Sequence, residues 1–344
     1  MASKPGDDLM RQAKPTSGVL ATALALALAA PGAAQQTHLV TVVGLGGAPE
    51  YTEEFTAWAM TLRTNAMERY RLPADQVITL AEETGIEGVD GESRADQVRE
   101  TVADLANRAG PNDRVLFVLI GHGTLRGDDV FLNLPGPDLS ANEWGQLLDL
   151  LGSRSVALVN VASASGPFVE ALSGPNRIIV TATRSARERN ETQFGRYFAD
   201  AFGGEAADLD KDGALSLLEA YQWARSETVR YYEEEGLLAT EHSILDDDGD
   251  GEGTEGPSQD TTDGLLASGF LFATVASDVN ADLPSDSTTV RLIQERAQIE
   301  ARLAELRGMR STMDPAEYDA LLEELLIELA LKNREIDARG GGGG

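Results

Sequence analysis

Five short, nearly all-apolar runs, at residues 39–45, 76–80, 114–120, 155–161 and 177–183, limit what this chain can fold into more than any other feature. Runs of that length, rich in valine, isoleucine and leucine, read as strands buried on both faces. Longer amphipathic stretches lie between them. Residues 49–70 open with Pro49 and place Phe55, Trp58, Ala59 and Leu62 on one helical face. Residues 93–108 repeat Val98, Val102 and Leu105 at helical spacing, and 139–151 begin with Ser140-Ala141-Asn142-Glu143, a capping box. A short helix follows the 155–161 run, and a longer one spans 191–202. Strands alternating with helices predict a mostly parallel sheet covered on both faces, with ligands bound outside the carboxyl ends of the strands.

The ends of the chain read differently. Lys4, Arg11 and Lys14 precede an apolar segment at 18–30 and then the small residues Gly32, Ala33 and Ala34, the pattern of a signal peptide over residues 1–34. Its apolar part is short and alanine-rich for a membrane span of about 20 residues. The expected product is exported, periplasmic or extracellular, with no stable membrane span after cleavage. Cleavage would shift the net charge from −29 to −30, because the removed part holds three basic and two acidic side chains. So acidic a surface excludes nucleic acid and anionic lipid as partners. The chain has no cysteine, so an exported product has no disulfides to hold it together.

Two apolar runs end in chemistry-bearing residues. Gly121-His122-Gly123-Thr124 follows the third run, and Ala162-Ser163-Ala164-Ser165-Gly166 follows the fourth. Both therefore fall on the same edge of a parallel sheet. In this order the two segments resemble the caspase and legumain group of peptidases, in which histidine-glycine follows one central strand and alanine-cysteine, then glycine, follows the next. The resemblance covers roughly residues 39–202 and is nearest to bacterial legumain-like proteins. Residues 134–139, Leu-Pro-Gly-Pro-Asp-Leu, resemble the turn before the helix that follows the family's histidine, and 181–185 fall where the family builds its specificity pocket.

The resemblance implies an α/β fold, a caspase-like mostly parallel sheet flanked by helices on both faces, acting on a peptide or protein substrate. It assigns His122 as base, Ser163 as nucleophile, and the N–H groups of Gly123 and Ser163 as oxyanion donors. Ser163 stands where the family carries its cysteine. A serine hydroxyl needs a well-oriented base, whereas a thiol is partly ionised at neutral pH. Three readings follow: a peptidase working through serine, a catalytically inactive relative that binds peptides or a protein partner, and a serine that has replaced a native cysteine. Asp128 and Asp129 follow His122 without a sequence reason to meet its ring. His38 is expected ahead of the first strand as an exposed or an edge residue, and His242 to pack locally rather than bind metal.

Past residue 205 the chain turns acidic. Asp208, Asp210, Asp212, Ala214, Ser216 and Glu219 occupy positions 1, 3, 5, 7, 9 and 12 of an EF-hand-type loop, with Gly213 at the sharp turn, and predict bound Ca2+. A helix should follow within 205–236. Asp246, Asp248 and Asp250 repeat the first half of that pattern, but its twelfth position falls on Pro257. That segment reads as a solvated loop or a weak supplementary ion site inside an acidic loop and closing strand at 237–288. Residues 289–339 carry Leu292, Ile299, Leu303 and Leu306, then Tyr318, Leu322, Leu325, Leu329 and Ile336, at helical spacing. They predict a C-terminal helical hairpin whose stripe packs on itself or the core, with a protein partner as its alternative use. Residues 340–344 are a glycine tail.

Overall fold

The computed structural model of the chain describes residues 35–211, 213–259 and 261–272, with a dozen helical residues between Ile299 and Arg334. The predicted signal segment, Asp212 and most of the C-terminal segment lie outside the described residues.

Strands β1 (Thr37–Val43), β2 (Val77–Ala81), β3 (Gly91–Glu92), β4 (Arg114–Ile120), β8 (Ser155–Asn160) and β9 (Arg177–Thr181) are parallel. With β10 (Ile244–Asp246), antiparallel to β9, they form one seven-stranded sheet in the order β10-β9-β8-β4-β1-β2-β3. β10 falls within the 237–288 stretch. A second sheet, absent from the sequence reading, joins β5 (Gly123–Arg126), β6 (Asp129–Leu132) and β7 (Leu139–Ser140) antiparallel.

Alternation along the strands divides the core. Leu116, Val118 and Ile120 of β4 face α1 (Pro49–Glu68), α5 (Phe194–Ala201) and α6 (Leu217–Glu234), meeting Trp58, Leu62, Phe198 and Tyr221. Val115, Phe117 and Leu119 face α2 (Ala95–Arg108), α3 (Ala141–Asp149) and α4 (Phe168–Leu172), meeting Val102, Trp144 and Phe168. A strand whose side chains are buried on both sides has no polar face to alternate, which is why it reads as a continuous apolar run. The Ser140 capping box forms as predicted: Glu143 N–H donates to Ser140 Oγ at 3.2 Å and Ser140 N–H to Glu143 Oε2 at 2.9 Å.

His38 departs from expectation. It lies inside β1, 3% exposed, with Nε2 3.2 Å from Asp113 Oδ2. The strand begins two residues earlier than its apolar run, and the Asp113 carboxylate gives the ring a polar partner inside. In the C-terminal segment, Ile299 and Tyr318 are helical and buried, while Leu321, Ile327 and Leu331, off the predicted stripe, are exposed. Arg302 Nη2 lies 2.7 Å from Glu328 Oε2, linking the two predicted helices. No described helix is long and apolar enough to cross a membrane.

Candidate active site

β4 and β8 are hydrogen-bonded neighbours, paired Val118 to Val159 and Leu119 to Asn160. Their carboxyl ends deliver His122 and Ser163 to one edge of the sheet. Gly123 opens β5 beside Ser163, and its N–H donates to Ser163 Oγ at 3.4 Å. Nothing larger than glycine fits there, because a Cβ on residue 123 would stand 2.1 Å from the Ser163 carbonyl oxygen. Among the described residues the Ser163 N–H finds no acceptor, which leaves it to serve an oxyanion.

The nucleophile loop is held by uncharged groups. Ala162 N–H donates to Asn160 Oδ1 at 3.0 Å, and Thr192 Oγ1 to the Val161 carbonyl at 2.6 Å. Ala164, with φ +57°, adopts a left-handed conformation and donates its N–H to the Glu188 carbonyl at 2.7 Å. Gly166 N–H donates to Thr183 Oγ1 at 3.0 Å, and Thr183 N–H to Ser165 Oγ at 3.3 Å. The 181–185 segment therefore supports the loop directly. A left-handed non-glycine next to the expected nucleophile is the kind of backbone strain that functional loops store.

His122 is half-buried, its ring edge-on to Tyr51 at 5.0 Å and Phe55 at 5.1 Å between centroids. Burial pushes its pKa below the ordinary imidazole value, against a hydrogen bond to the Gly46 backbone and the charge of Glu191, which act upward. The ring is neutral at pH 7 and able to accept a proton. It makes no hydrogen bond to Ser163. The acid nearest in influence is Glu191, whose Oε2 accepts from Tyr51 Oη at 3.1 Å. Asp129 instead faces Asn142 Nδ2 at 3.4 Å, and Asp128 is exposed at a hairpin turn. Tyr51 and Glu191 escaped the sequence reading because they are distant in the chain from His122 and from each other.

Other sequence candidates find structural partners. Asp138, in the 134–139 turn, accepts from Leu134 N–H at 2.8 Å and pairs with Arg126. His242 packs locally as expected, its Nδ1 2.7 Å from Glu188 Oε1.

No protein-family model matches this chain, and no curated protein matches it in sequence. Similar solved structures include the Drosophila initiator caspase Dronc, 10% identical over 68% of this chain and 84% of that one, with a TM-score of 0.41. Another is drICE, 7% identical over 62% and 88%, at 0.38. Protein GSU0716 from Geobacter sulfurreducens is 12% identical over 56% and 89%, at 0.38.

The EF-hand-type loop lies between α5 and α6. One oxygen from each of Asp208, Asp210 and Glu219 falls within 4.8 Å of the others. Asp208 Oδ2 accepts from Gly213 N–H at 3.0 Å, while its Oδ1 is buried without a partner. A buried carboxylate oxygen with no donor is what a hard cation would satisfy, so the donor set fits calcium. Ala214 is buried, and Ser216 caps α6 together with Glu219. Glu219 Oε1 accepts from the N–H groups of Leu209 and Asp210, and Oε2 from the N–H and hydroxyl of Ser216. Those four bonds fill its acceptor capacity, so a bidentate role at an ion would require it to release donors. The segment of Phe270 and Phe272 pairs alongside the loop, through Leu217 N–H to the Phe270 carbonyl and Phe272 N–H to the Leu215 carbonyl.

Proposed function

We propose that this chain is an exported, calcium-binding protein of the caspase and legumain peptidase group, whose His122 and Ser163 cleft holds peptide segments without cutting them. The observation that carries this reading is the engagement of Ser163 Oγ by the Gly123 N–H, the donor predicted for the oxyanion, with no hydrogen bond to His122. A serine hydroxyl without its base is a poor nucleophile at neutral pH. The backbone donors, the glycine-lined approach and the buttressed loop still suit a peptide carbonyl. The basic and then apolar segment within residues 1–34 supports export, and the Asp208, Asp210 and Glu219 cluster supports a structural calcium ion.

Hydrolysis through Ser163 is the second reading, favoured by the neutral state of His122. In that case Ser163 Oγ attacks the peptide carbonyl carbon and gives its proton to His122. The oxyanion forms against the Gly123 and Ser163 N–H groups, and His122 returns the proton to the departing amine. Water then releases the acyl group by the reverse roles.

A fluorogenic peptide library offered to the parent, Ser163→Cys and His122→Ala proteins separates these readings. The expected result is binding without cleavage by the parent and cleavage by Ser163→Cys. Cleavage by the parent that falls about 100-fold or more in His122→Ala replaces the binding reading with hydrolysis. If neither the parent nor Ser163→Cys binds or cuts any peptide, the assignment to this peptidase group is wrong.

A further inference from the structure

Where β10 runs out, Asp246, Asp248 and Asp250 each contribute an oxygen to a cluster whose members lie within 4.8 Å of one another. Two oxygens on opposite sides of a calcium ion stand about 4.6–5.2 Å apart, twice the usual metal–oxygen distance. The intervening Asp247 is used differently. It accepts from Gly264 N–H at 2.8 Å and Ala267 N–H at 2.8 Å, and so anchors the following segment. The three clustered aspartates instead each engage Oδ1 with a backbone N–H of their own loop: Gly249 to Asp246, Asp250 to Asp248, and Glu252 to Asp250. Among the described residues, no donor reaches Oδ2 of Asp248 or Asp250, and at Asp246 the Ser173 hydroxyl is the neighbouring donor, without a well-formed bond to Oδ2.

For Asp248 and Asp250, which are exposed, water serves those oxygens. Asp246 is 1% exposed, and its Oδ2 is buried without a hydrogen-bond partner. Beside the loop, Ser173 Oγ is likewise buried without a well-formed hydrogen bond, and the acceptor it faces is the Asp246 carboxylate. Ser173 Cβ lies 3.9 Å from where a Cβ on Gly251 would sit. A fully buried carboxylate oxygen with no donor is costly, and two adjacent carboxylates add repulsion without a neighbouring cation to offset it. One hard divalent cation answers each of these deficits.

We infer that Asp246, Asp248 and Asp250 form a second calcium site, separate from the Asp208–Glu219 loop. Its position gives it a structural role. The Asp246–Gly251 loop lies against the segment following α4, with a Cβ on Gly249 falling 3.4 Å from the Gly174 carbonyl carbon. α4 in turn starts directly after the Ser163–Gly166 loop. The ion thus fastens the sheet edge to the far end of the helix that the nucleophile loop leads into. Three carboxylates and few further ligands suit the weak class of extracellular sites, with a dissociation constant of about 10⁻⁴ to 10⁻³ M.

The test is calorimetric titration of the chelator-stripped full chain with calcium chloride, using the parent, an Asp248→Asn/Asp250→Asn variant, and an Asp208→Asn/Asp210→Asn variant. Asparagine keeps the Oδ1 acceptors, so the first variant should melt in chelator at the parent's temperature or higher, with repulsion removed. It is expected to bind one calcium fewer than the parent. Equal stoichiometry in the two overturns the inference, as does a parent that takes up no calcium to about 10 mM. A parent that binds a single ion, lost in Asp248→Asn/Asp250→Asn and kept in Asp208→Asn/Asp210→Asn, upholds this site and removes the first-loop calcium from the proposed function.

Discussion

The edge of the sheet that carries His122 and Ser163 and the acidic loops beyond residue 205 are both irregular backbone, yet they are held in opposite ways. At the edge, carbonyls, hydroxyls and N–H groups of 160–166, 183 and 188 satisfy one another, and close backbone contacts leave no space for added atoms. In the acidic loops, carboxylates converge and buried oxygens at Asp208 and Asp246 lack donors. Apart from the Ser163 N–H, the first region is complete with its own atoms. On the calcium proposal the second is completed by an added cation, and its rigidity then depends on the surrounding solution.

The largest test of that contrast is Gly166→Ala. A Cβ there would stand 2.3 Å from the Arg184 carbonyl carbon and the Ser185 nitrogen, so backbone must move. A loss of about 3 kcal/mol in urea unfolding is expected, equal with and without calcium. A cost below about 1 kcal/mol would show that the edge is not self-supported. Chelation comes next: with calcium at about 100 times its dissociation constant, one site adds about 2.7 kcal/mol, so chelator should lower the melting temperature by several degrees. Asp208→Asn should lose part of that response, and an unchanged melting temperature would erase the distinction between the regions.

The smallest effect belongs to Glu241, which ties the start of α5 to α6. Its carboxylate accepts from Gln193 N–H at 2.7 Å, Phe194 N–H at 3.1 Å and Tyr232 Oη at 3.0 Å, and burial pushes its pKa up to about 7. A raised carboxyl pKa means that the folded chain keeps a proton which the unfolded chain has already lost. Stability at this group therefore falls as pH climbs from the ordinary glutamate value through 7. Glu241→Gln should flatten the profile between pH 5 and pH 8 by about 2 kcal/mol. Asp263, also raised to about 7 by burial, contributes to both proteins, so the difference between their profiles isolates Glu241. Parallel profiles would remove the assigned titration.

The sheet was legible in the sequence because burial on both faces forces an apolar run, and the run at Arg114–Ile120 coincides with β4 residue for residue. The Ser140 cap was legible because its chemistry is local. The β5–β6 hairpin was missed although its signal was present: Gly127-Asp128 forms the two-residue turn between them, with Gly127 at φ +63°. Polar residues in short, half-exposed strands hid it. His122 and Ser163 could be placed on one edge from sequence alone. The Tyr51, Phe55 and Glu191 surroundings of the ring could not, since they arise from packing between distant segments.

The two margins of the large sheet are also short. β3 has two residues, and β10 has three, with the outer side of Leu245 already exchanging both backbone hydrogen bonds with Thr254. An exposed strand margin invites further strands from other molecules, including those that build fibrils. At the β10 margin this chain offers such a newcomer almost no backbone to grip. A net charge of −29 opposes self-association through repulsion, and the short margin adds a second safeguard that would persist in salt strong enough to screen the first.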